Sequence, residues 1–233
     1  QNEHSMVLRV FNLNNGEARA AYKNVTMDMR TYNRLKFFVH AEEKDPSMPL
    51  LDGDLTVFMR IGSDYTSNYY EYEVPLVTTD WGDSDPEAIW PKANRFDIAF
   101  DDLQEAKSRR NKDIRNGVAG VAISDRASYL VNGKRVTVIG SPNVGNVKTI
   151  MIGIRNPEFD SEFNPDDDGE VKCGEIWINE LRLTDFDERG GWAAKAQMKA
   201  RLADLGSVTL SGNMSTVGFG GLPQSVTERN KEE

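Results

Sequence analysis

The stretch LTVFMRIGSDYTSNYYEYEVPL, residues 55–76, decides the fold class. Apolar side chains share one face of each half: Leu55, Val57, Met59 and Ile61 in the first half, and Tyr70, Tyr72 and Val74 in the second. Gly62, Ser63 and Asp64 supply turn chemistry between the two runs. Strict alternation on both sides of a turn predicts two antiparallel strands, the second of which ends or lies at a sheet edge because of Pro75.

Outward from this pair, further strands are predicted at residues 6–11, 34–41, 96–100, 135–139, 149–155 and 174–183. One helix is predicted, beginning at a capping box formed by Asp102 and Glu105, running to Arg115 and ending at Gly117. About eight or nine strands without a βαβ rhythm favour an all-β fold. We expect an antiparallel, jelly-roll-like β-sandwich of the galactose-binding or carbohydrate-module kind, with one short helix.

Composition excludes several classes of function. The 233 residues carry 37 acidic and 28 basic side chains, for a net charge of −9 without a long Lys/Arg block, so nucleic acid is not expected as a partner. Cys173 is the only cysteine, which excludes an internal disulfide or a cysteine metal cluster. Because Gln1 opens directly into strand-like sequence, we expect the chain to be a piece cut from a longer polypeptide.

The tail changes character after Gly190 and Gly191. Two runs that alternate strictly, residues 192–202 and 208–215, are joined by a short turn at residues 203–207. Such an amphipathic pair is typical of a transmembrane β-barrel hairpin, but it also fits a hairpin that packs on the sandwich. The predicted organisation is therefore a sandwich at residues 1–190, a hairpin at 191–219 and a polar tail at 220–233.

Three stretches carry a resemblance to a known family. Residues 177–206, WINELRLTDFDERGGWAAKAQMKARLADLG, resemble the SprA family, also called Sov, the giant outer-membrane translocon of the type IX secretion system. Residues 18–42 and 60–76 also resemble that family, whereas the likeness thins over residues 77–147 and in the acidic loop.

The resemblance implies a large β-barrel in the outer membrane, used for protein secretion and gliding motility. Its partners would be secreted cargo proteins, a PorV-like shuttle protein and a plug. This chain would be an insertion on the extracellular side, followed by barrel strands, because outer-membrane barrels keep their short turns in the periplasm.

A barrel hairpin assigns a face to each residue of the tail. The lipid-facing residues would be Trp192, Ala194, Ala196, Met198, Leu202, Val208, Leu210 and Met214. The lumen-facing residues would be Lys195, Gln197, Lys199, Arg201, Thr209 and Ser211.

Enzymatic chemistry finds little support in the sequence. Only His4 and His40 could serve as histidine acid/base groups, and both are interpreted as structural. The carboxylates concentrate in loops and are interpreted as solvated surface. We therefore expect a protein that is not an enzyme.

An acidic loop at residues 160–170 suggests calcium. Asn164, Asp166 and Asp168 recur at every second position before Gly169, and calcium takes six to eight oxygen ligands. The bidentate glutamate expected further on is absent, so a plain solvated loop competes with a structural calcium ion; no other cofactor is expected.

The alternative function is that of a secreted carbohydrate-binding module. Jelly-roll sandwiches often present aromatic rings to sugars, and Trp81, Trp90 and Tyr69 lie in or beside loops. These three residues are the candidate sugar platform.

Overall fold

A computed structural model of the chain describes residues 5–44, 47–80, 82–187, 191–216 and 219. The chain divides into two compact units, Gln1–Asp185 and Phe186–Glu233, and each is described by itself. The predicted polar tail at 220–233 lies outside the described residues.

The described residues form twelve strands and two α-helices. The strands are β1 (Met6–Leu13), β2 (Ala18–Met27), β3 (Tyr32–Glu43), β4 (Thr56–Gly62), β5 (Tyr69–Pro75), β6 (Phe96–Ala99), β7 (Ala127–Val131), β8 (Lys134–Ile139), β9 (Val147–Arg155), β10 (Lys172–Phe186), β11 (Ala193–Leu202) and β12 (Gly206–Ser215). The helices are α1 (Pro86–Ile89) and α2 (Phe100–Arg115), with 3₁₀ turns at Lys92–Asn94 and Ala203–Leu205. Neither described helix has the length and apolar character needed to cross a bilayer.

Two antiparallel sheets build the first unit, which confirms the predicted all-β class. One sheet has six strands in the order β2-β9-β4-β5-β8-β7, and the other has four in the order β1-β10-β3-β6. The predicted pair at residues 55–76 lies at the centre of the larger sheet, where β4 and β5 pair from Thr56 with Pro75 to Gly62 with Tyr69. Strand β5 ends at Pro75, as expected of a residue that lacks a backbone N–H.

The hydrophobic core lies between the two sheets. On β3, the predicted inward residues Leu35, Phe37, Val39 and Ala41 are each at most 1% exposed, which confirms the alternation. Phe37 stacks on Phe96 at a centroid distance of 4.2 Å, and Phe96 meets Tyr72 of the other sheet at 5.7 Å. Burial of such large side chains is the main stabilising term of a sandwich.

The opposite face of β5 corrects the interpretation of the carboxylates as solvated surface. Glu71 and Glu73 are 0% and 3% exposed. Glu71 accepts a hydrogen bond from Arg60 Nε at 2.6 Å and from Arg155 Nη2 at 3.1 Å, and it also binds Arg126. An ionised carboxylate is rarely buried unless it is paired, and strands β4 and β9 bring Arg60 and Arg155 beside it, while Arg126 comes from the residue before β7.

Glu73 completes this buried ionic cluster. It binds Arg155, accepts a hydrogen bond from Thr56 Oγ1 at 2.6 Å, and lies 3.8 Å from Arg135 Nε. Burial opposes the ionisation of Glu71, but the positive charges of Arg155, Arg126 and Arg60 outweigh it and lower the pKa of that carboxyl. Glu71 is therefore charged at neutral pH.

The predicted capping box is wrong, although the helix exists. Helix α2 begins at Phe100, and Ala99 at its N-cap position makes no side-chain cap hydrogen bond. The Asp102 carboxylate instead accepts a hydrogen bond from Asn132 Nδ2 at 2.8 Å. The helix starts earlier because Phe100 is 4% exposed and packs into the core. Its end at Arg115, two residues before Gly117, agrees with the prediction.

The sequence reasoning missed two strands, β2 and β7. Strand β2 is a sheet edge with most of its residues exposed, so burial leaves no alternating signal in its sequence. Strand β7 pairs with β8, and a turn of two residues, Asn132 and Gly133, connects them with φ angles of 49° and 74°. A two-residue Asn-Gly turn with both φ angles positive is a strong hairpin signal, so the sequence did contain the means to find β7.

Candidate functional site

The second unit is built around a hairpin of β11 and β12. The strands pair antiparallel from Ala193 with Ser215 to Leu202 with Gly206, without a break in register. At the open end, the backbone N–H of Trp192 donates to Thr216 Oγ1 at 2.8 Å, and the N–H of Thr216 donates to the Trp192 carbonyl at 2.9 Å. The two predicted runs thus form one continuous ladder.

The register brings the residues predicted to face lipid onto one face of the hairpin, because residues directly opposite one another on paired strands share a face. The cross-strand pairs on this face are Ala194 with Met214, Ala196 with Gly212, Met198 with Leu210, Ala200 with Val208, and Leu202 with Gly206. Met198, Leu210 and Met214 are 60%, 65% and 59% exposed. We call this surface the apolar face of the hairpin.

The other face collects the residues predicted to face a lumen. Its cross-strand pairs are Lys195 with Asn213, Gln197 with Ser211, Lys199 with Thr209, and Arg201 with Ser207. All three cationic side chains of this polar face come from β11, while β12 supplies hydroxyl and amide groups. The hairpin therefore separates apolar from polar side chains over ten residues on each strand.

The turn between the two strands is short. It consists of a 3₁₀ turn at Ala203–Leu205, followed by Gly206 with a φ of 131°. Residues other than glycine rarely adopt this backbone conformation, so Gly206 fixes the point at which β12 begins. Leu205 is 93% exposed at the tip.

In the acidic loop, two of the three side chains proposed as calcium ligands make other contacts. The Asn164 amide donates to the carbonyls of Pro157 at 3.1 Å and Glu158 at 3.3 Å, and Asp166 is exposed. Asp168 accepts a hydrogen bond from Lys172 Nζ at 2.5 Å, which lowers the pKa of that carboxyl.

Lys172 also lies 3.1 Å from Asp54, so its ammonium group sits where two carboxylates converge. Across the described residues, no group of three or more His, Cys, Asp or Glu side chains is arranged to hold a metal ion. The calcium site stays a prediction from spacing and carries no further argument.

A cleft of about 450 Å³ opens beside the loop that follows β5. His40 lies in its wall between two indole rings, Trp90 at 6.0 Å and Trp177 at 6.1 Å between ring centroids. Three carboxylates also line it: those of Glu42, Asp80 and Asp83. We call it the aromatic cleft.

Hydrogen bonds fix the walls of the aromatic cleft. His40 Nδ1 lies 2.8 Å from the Ile89 carbonyl, and since a carbonyl can only accept, this nitrogen carries the proton. Thr79 Oγ1 donates to the Ala88 carbonyl at 3.0 Å, and the N–H of Thr79 donates to the Ala41 carbonyl at 2.8 Å. The loop is thus tied both to β3 and to helix α1.

A buried glutamate orients the second indole. Trp177 Nε1 donates to Glu175 Oε1 at 2.6 Å, and Glu175 is 1% exposed and also paired with Arg9 and Lys44. The Trp177 ring remains 39% exposed, so part of its surface is open to a ligand.

Two residues of the predicted sugar platform, Trp90 and Tyr69, do not come together. Trp90 lines the aromatic cleft, whereas Tyr69 is 3% exposed and lies beneath the guanidinium of Arg60 at 4.4 Å. Trp81 lies outside the described residues. Trp177, which the sequence reasoning assigned only to a strand, is the second aromatic group of the cleft.

Comparison with known families gives one result. The model of the family SprA_N, described as a motility related/secretion protein, matches residues 1–233. No similar protein is found among curated ones.

Proposed function

The chain belongs to the SprA_N family of motility related/secretion proteins, and from this membership we propose that it is a non-catalytic structural segment of an outer-membrane protein-secretion translocon. The apparatus would be that of type IX secretion and gliding motility, to which the SprA family that the sequence resembles belongs. The observation that carries the proposal is the hairpin of β11 and β12, with its separate apolar and polar faces.

The hairpin has the properties required of two adjacent strands in a membrane barrel. Each strand has ten residues, and about 9–11 tilted residues span a bilayer. In such barrels apolar side chains alternate outward to lipid with polar ones inward to water. The apolar face would then meet lipid, and Lys195, Lys199 and Arg201 would line the lumen.

The turn supports an orientation for the whole segment. Outer-membrane barrels have short turns on the periplasmic side and long excursions on the extracellular side. Because the turn at Ala203–Leu205 is short, we place it in the periplasm and the sandwich outside the cell.

The sandwich would act through its surface, by shaping the mouth of the pore and by docking secreted cargo and other translocon components such as a PorV-like shuttle and a plug. Two buried carboxylates of β5, Glu71 and Glu73, are engaged by arginines, which suits a structural role. The proposed mechanism is steric and interfacial rather than chemical.

We further propose that the sandwich is of the jelly-roll kind. Strand β1 pairs with β10 and strand β2 pairs with β9, so the first strands pair with the last ones in a nested order. Such nesting arises when a long hairpin is rolled into two sheets, as in jelly rolls.

The test compares two neighbouring positions of β11 in cells that produce the full-length protein. Met198→Arg places a charge on the apolar face, which costs about 2–4 kcal/mol at the midplane of a barrel exposed to lipid. Gln197→Arg, the matched control, places the same charge on the polar face. We expect Met198→Arg to lower outer-membrane assembly and protein secretion, and Gln197→Arg to leave both unchanged. Equal tolerance of the two substitutions would contradict the proposal.

A further inference from the structure

The aromatic cleft has an uneven charge distribution. Glu42, Asp80 and Asp83 line it, and no lysine or arginine is among its described lining residues. The Glu42 carboxylate lies 3.5 Å from His40 Nε2 and 3.6 Å from Lys44 Nζ. Asp80 and Asp83 are exposed, and neither forms an ion pair with a described basic residue. Two carboxylates are therefore open at the rim of the cleft.

The indole rings complement these carboxylates. An aromatic face attracts a cation through its quadrupole, most strongly in tryptophan, and arginine is the side chain that most often uses this interaction. Trp90 and Trp177 border the same cleft on two sides of His40. A planar cation in the cleft can thus contact an indole ring and a carboxylate together.

The cleft is also built before any ligand arrives. Its loop is tied to β3 by Thr79, and the Asn94 side chain, 0% exposed, forms two hydrogen bonds of 2.7 Å with the backbone of Val77. A site held in shape in this way loses little conformational entropy when it binds.

From this charge complementarity we infer that the aromatic cleft binds an arginine side chain presented by an extended basic segment of a partner polypeptide. The guanidinium group is planar, stacks on aromatic rings and pairs with carboxylates in a fork, and it is more weakly hydrated than the ammonium group of lysine. A neutral sugar can also stack on tryptophan, but the carboxylates give it no coulombic attraction. The inference rests on the cleft alone and holds whether or not the hairpin enters a membrane.

The experiment is an NMR titration of the whole 233-residue chain with N-acetylarginine amide. The four tryptophans of the chain give four indole N–H signals, which single Trp→Phe substitutions assign. We expect the signals of Trp90 and Trp177 to move during the titration, while that of Trp192 stays in place. The neutral isostere N-acetylcitrulline amide should move none of them at the same concentration.

Substitutions then test the charge. Asp80→Asn and Asp83→Asn should each weaken binding of the arginine amide by up to about fivefold, as expected for one exposed charge contact. Glu87→Gln is the matched control, because Glu87 is an exposed carboxylate of the neighbouring helix α1 that does not line the cleft. It should leave the affinity unchanged, and about 0.5 M salt should weaken binding to the unsubstituted chain.

Three results would overturn the inference. One is that the arginine amide leaves the Trp90 and Trp177 signals in place, or moves them no more than the citrulline amide does. Another is that Glu87→Gln weakens binding as much as Asp83→Asn, which would indicate general attraction to an acidic surface. The last is that methyl glycosides move the two signals and the arginine amide does not, which would make the cleft a carbohydrate site.

Discussion

Strands β5 and β11 have the same kind of sequence and opposite surroundings. Both alternate apolar with polar residues, but six of the seven residues of β5 are buried, whereas nine of the ten residues of β11 are exposed. Alternation thus specifies a strand and divides its two faces, but it does not say what covers either face. A face of a strand can be covered by other elements of the protein, or by a medium other than protein, such as lipid.

The charged side chains on the polar faces of β5 and β11 differ in what surrounds them. In β5, Glu71 and Glu73 lie against arginines from other parts of the chain, and the pairing keeps Glu71 ionised although it is buried. In β11, Lys195, Lys199 and Arg201 are exposed, so water can solvate these side chains. Substitutions in β5 should therefore affect folding, and those in β11 should affect only the interactions of the surface.

The largest effect is expected at Glu71. Glu71→Ala leaves Arg60, Arg126 and Arg155 without their shared carboxylate, and removal of one partner of a buried ion pair costs about 3–5 kcal/mol. Glu105→Ala, at an exposed ion pair with Arg109, is the control and should change the free energy of unfolding by less than about 0.5 kcal/mol. Urea unfolding followed by fluorescence measures both values, and similar losses in the two variants would refute the contrast.

A pair of methionines compares the two regions directly. Met59 on β4 is 1% exposed and Met198 on β11 is 60% exposed. Truncation of a buried methionine to alanine costs about 2–5 kcal/mol, so Met59→Ala should lower the unfolding free energy by that amount. Met198→Ala should leave the unfolding of the sandwich within about 0.5 kcal/mol of its original value. A clear loss for Met198→Ala would mean that the apolar face is buried against protein.

Acid should destabilise the sandwich. Burial opposes the ionisation of Asp64, but backbone N–H groups of Thr66, Ser67 and Asn68 and the side chain of Asn68 donate to this carboxylate and lower its pKa. A lowered folded-state pKa gives stability that is present above the unfolded value of 3.8 and is lost as the pH falls below it.

Thermal melts at several pH values test this dependence. We expect the melting temperature to fall as the pH drops through 4, and to fall less steeply in Asp64→Asn, which has no carboxylate to protonate there. An identical pH dependence in both proteins would show that Asp64 contributes nothing to it.

The smallest contrast concerns two glycines. Gly133 in the turn between β7 and β8 has a φ of 74°, whereas Gly212 lies within β12 without a left-handed φ, and neither would bring a new Cβ within 4 Å of another atom. Gly133→Ala should cost about 1–2 kcal/mol because alanine is strained in the left-handed region. Gly212→Ala should be neutral in the unfolding of the sandwich. A cost of the same size at both positions would remove the distinction.

Much of the fold could be predicted from sequence because burial on one face leaves a period of two. Strands β3, β4 and β5 were found in this way. Strand β2 was missed because neither of its faces is buried, and the start of α2 was misplaced because a core contact of Phe100 overrides the capping signal of Asp102.

The sites were harder to predict because they depend on residues distant in the chain. The arginines that bind Glu71 come from positions 60, 126 and 155, and the aromatic cleft joins Trp90 to Trp177. Only the hairpin could be read from local sequence, since its two strands are neighbours in the chain.

The most direct test of the central claim is a cysteine scan of β11 in the full-length protein in its outer membrane. Cys173, the only cysteine of the chain, is buried and would be replaced by serine. Cysteines placed one at a time at positions 195 to 201 would carry an environment-sensitive fluorophore. The proposed barrel strand predicts an apolar environment at positions 196, 198 and 200 and an aqueous one at 195, 197, 199 and 201. An aqueous environment at all seven positions would contradict the assignment of β11 to a membrane barrel.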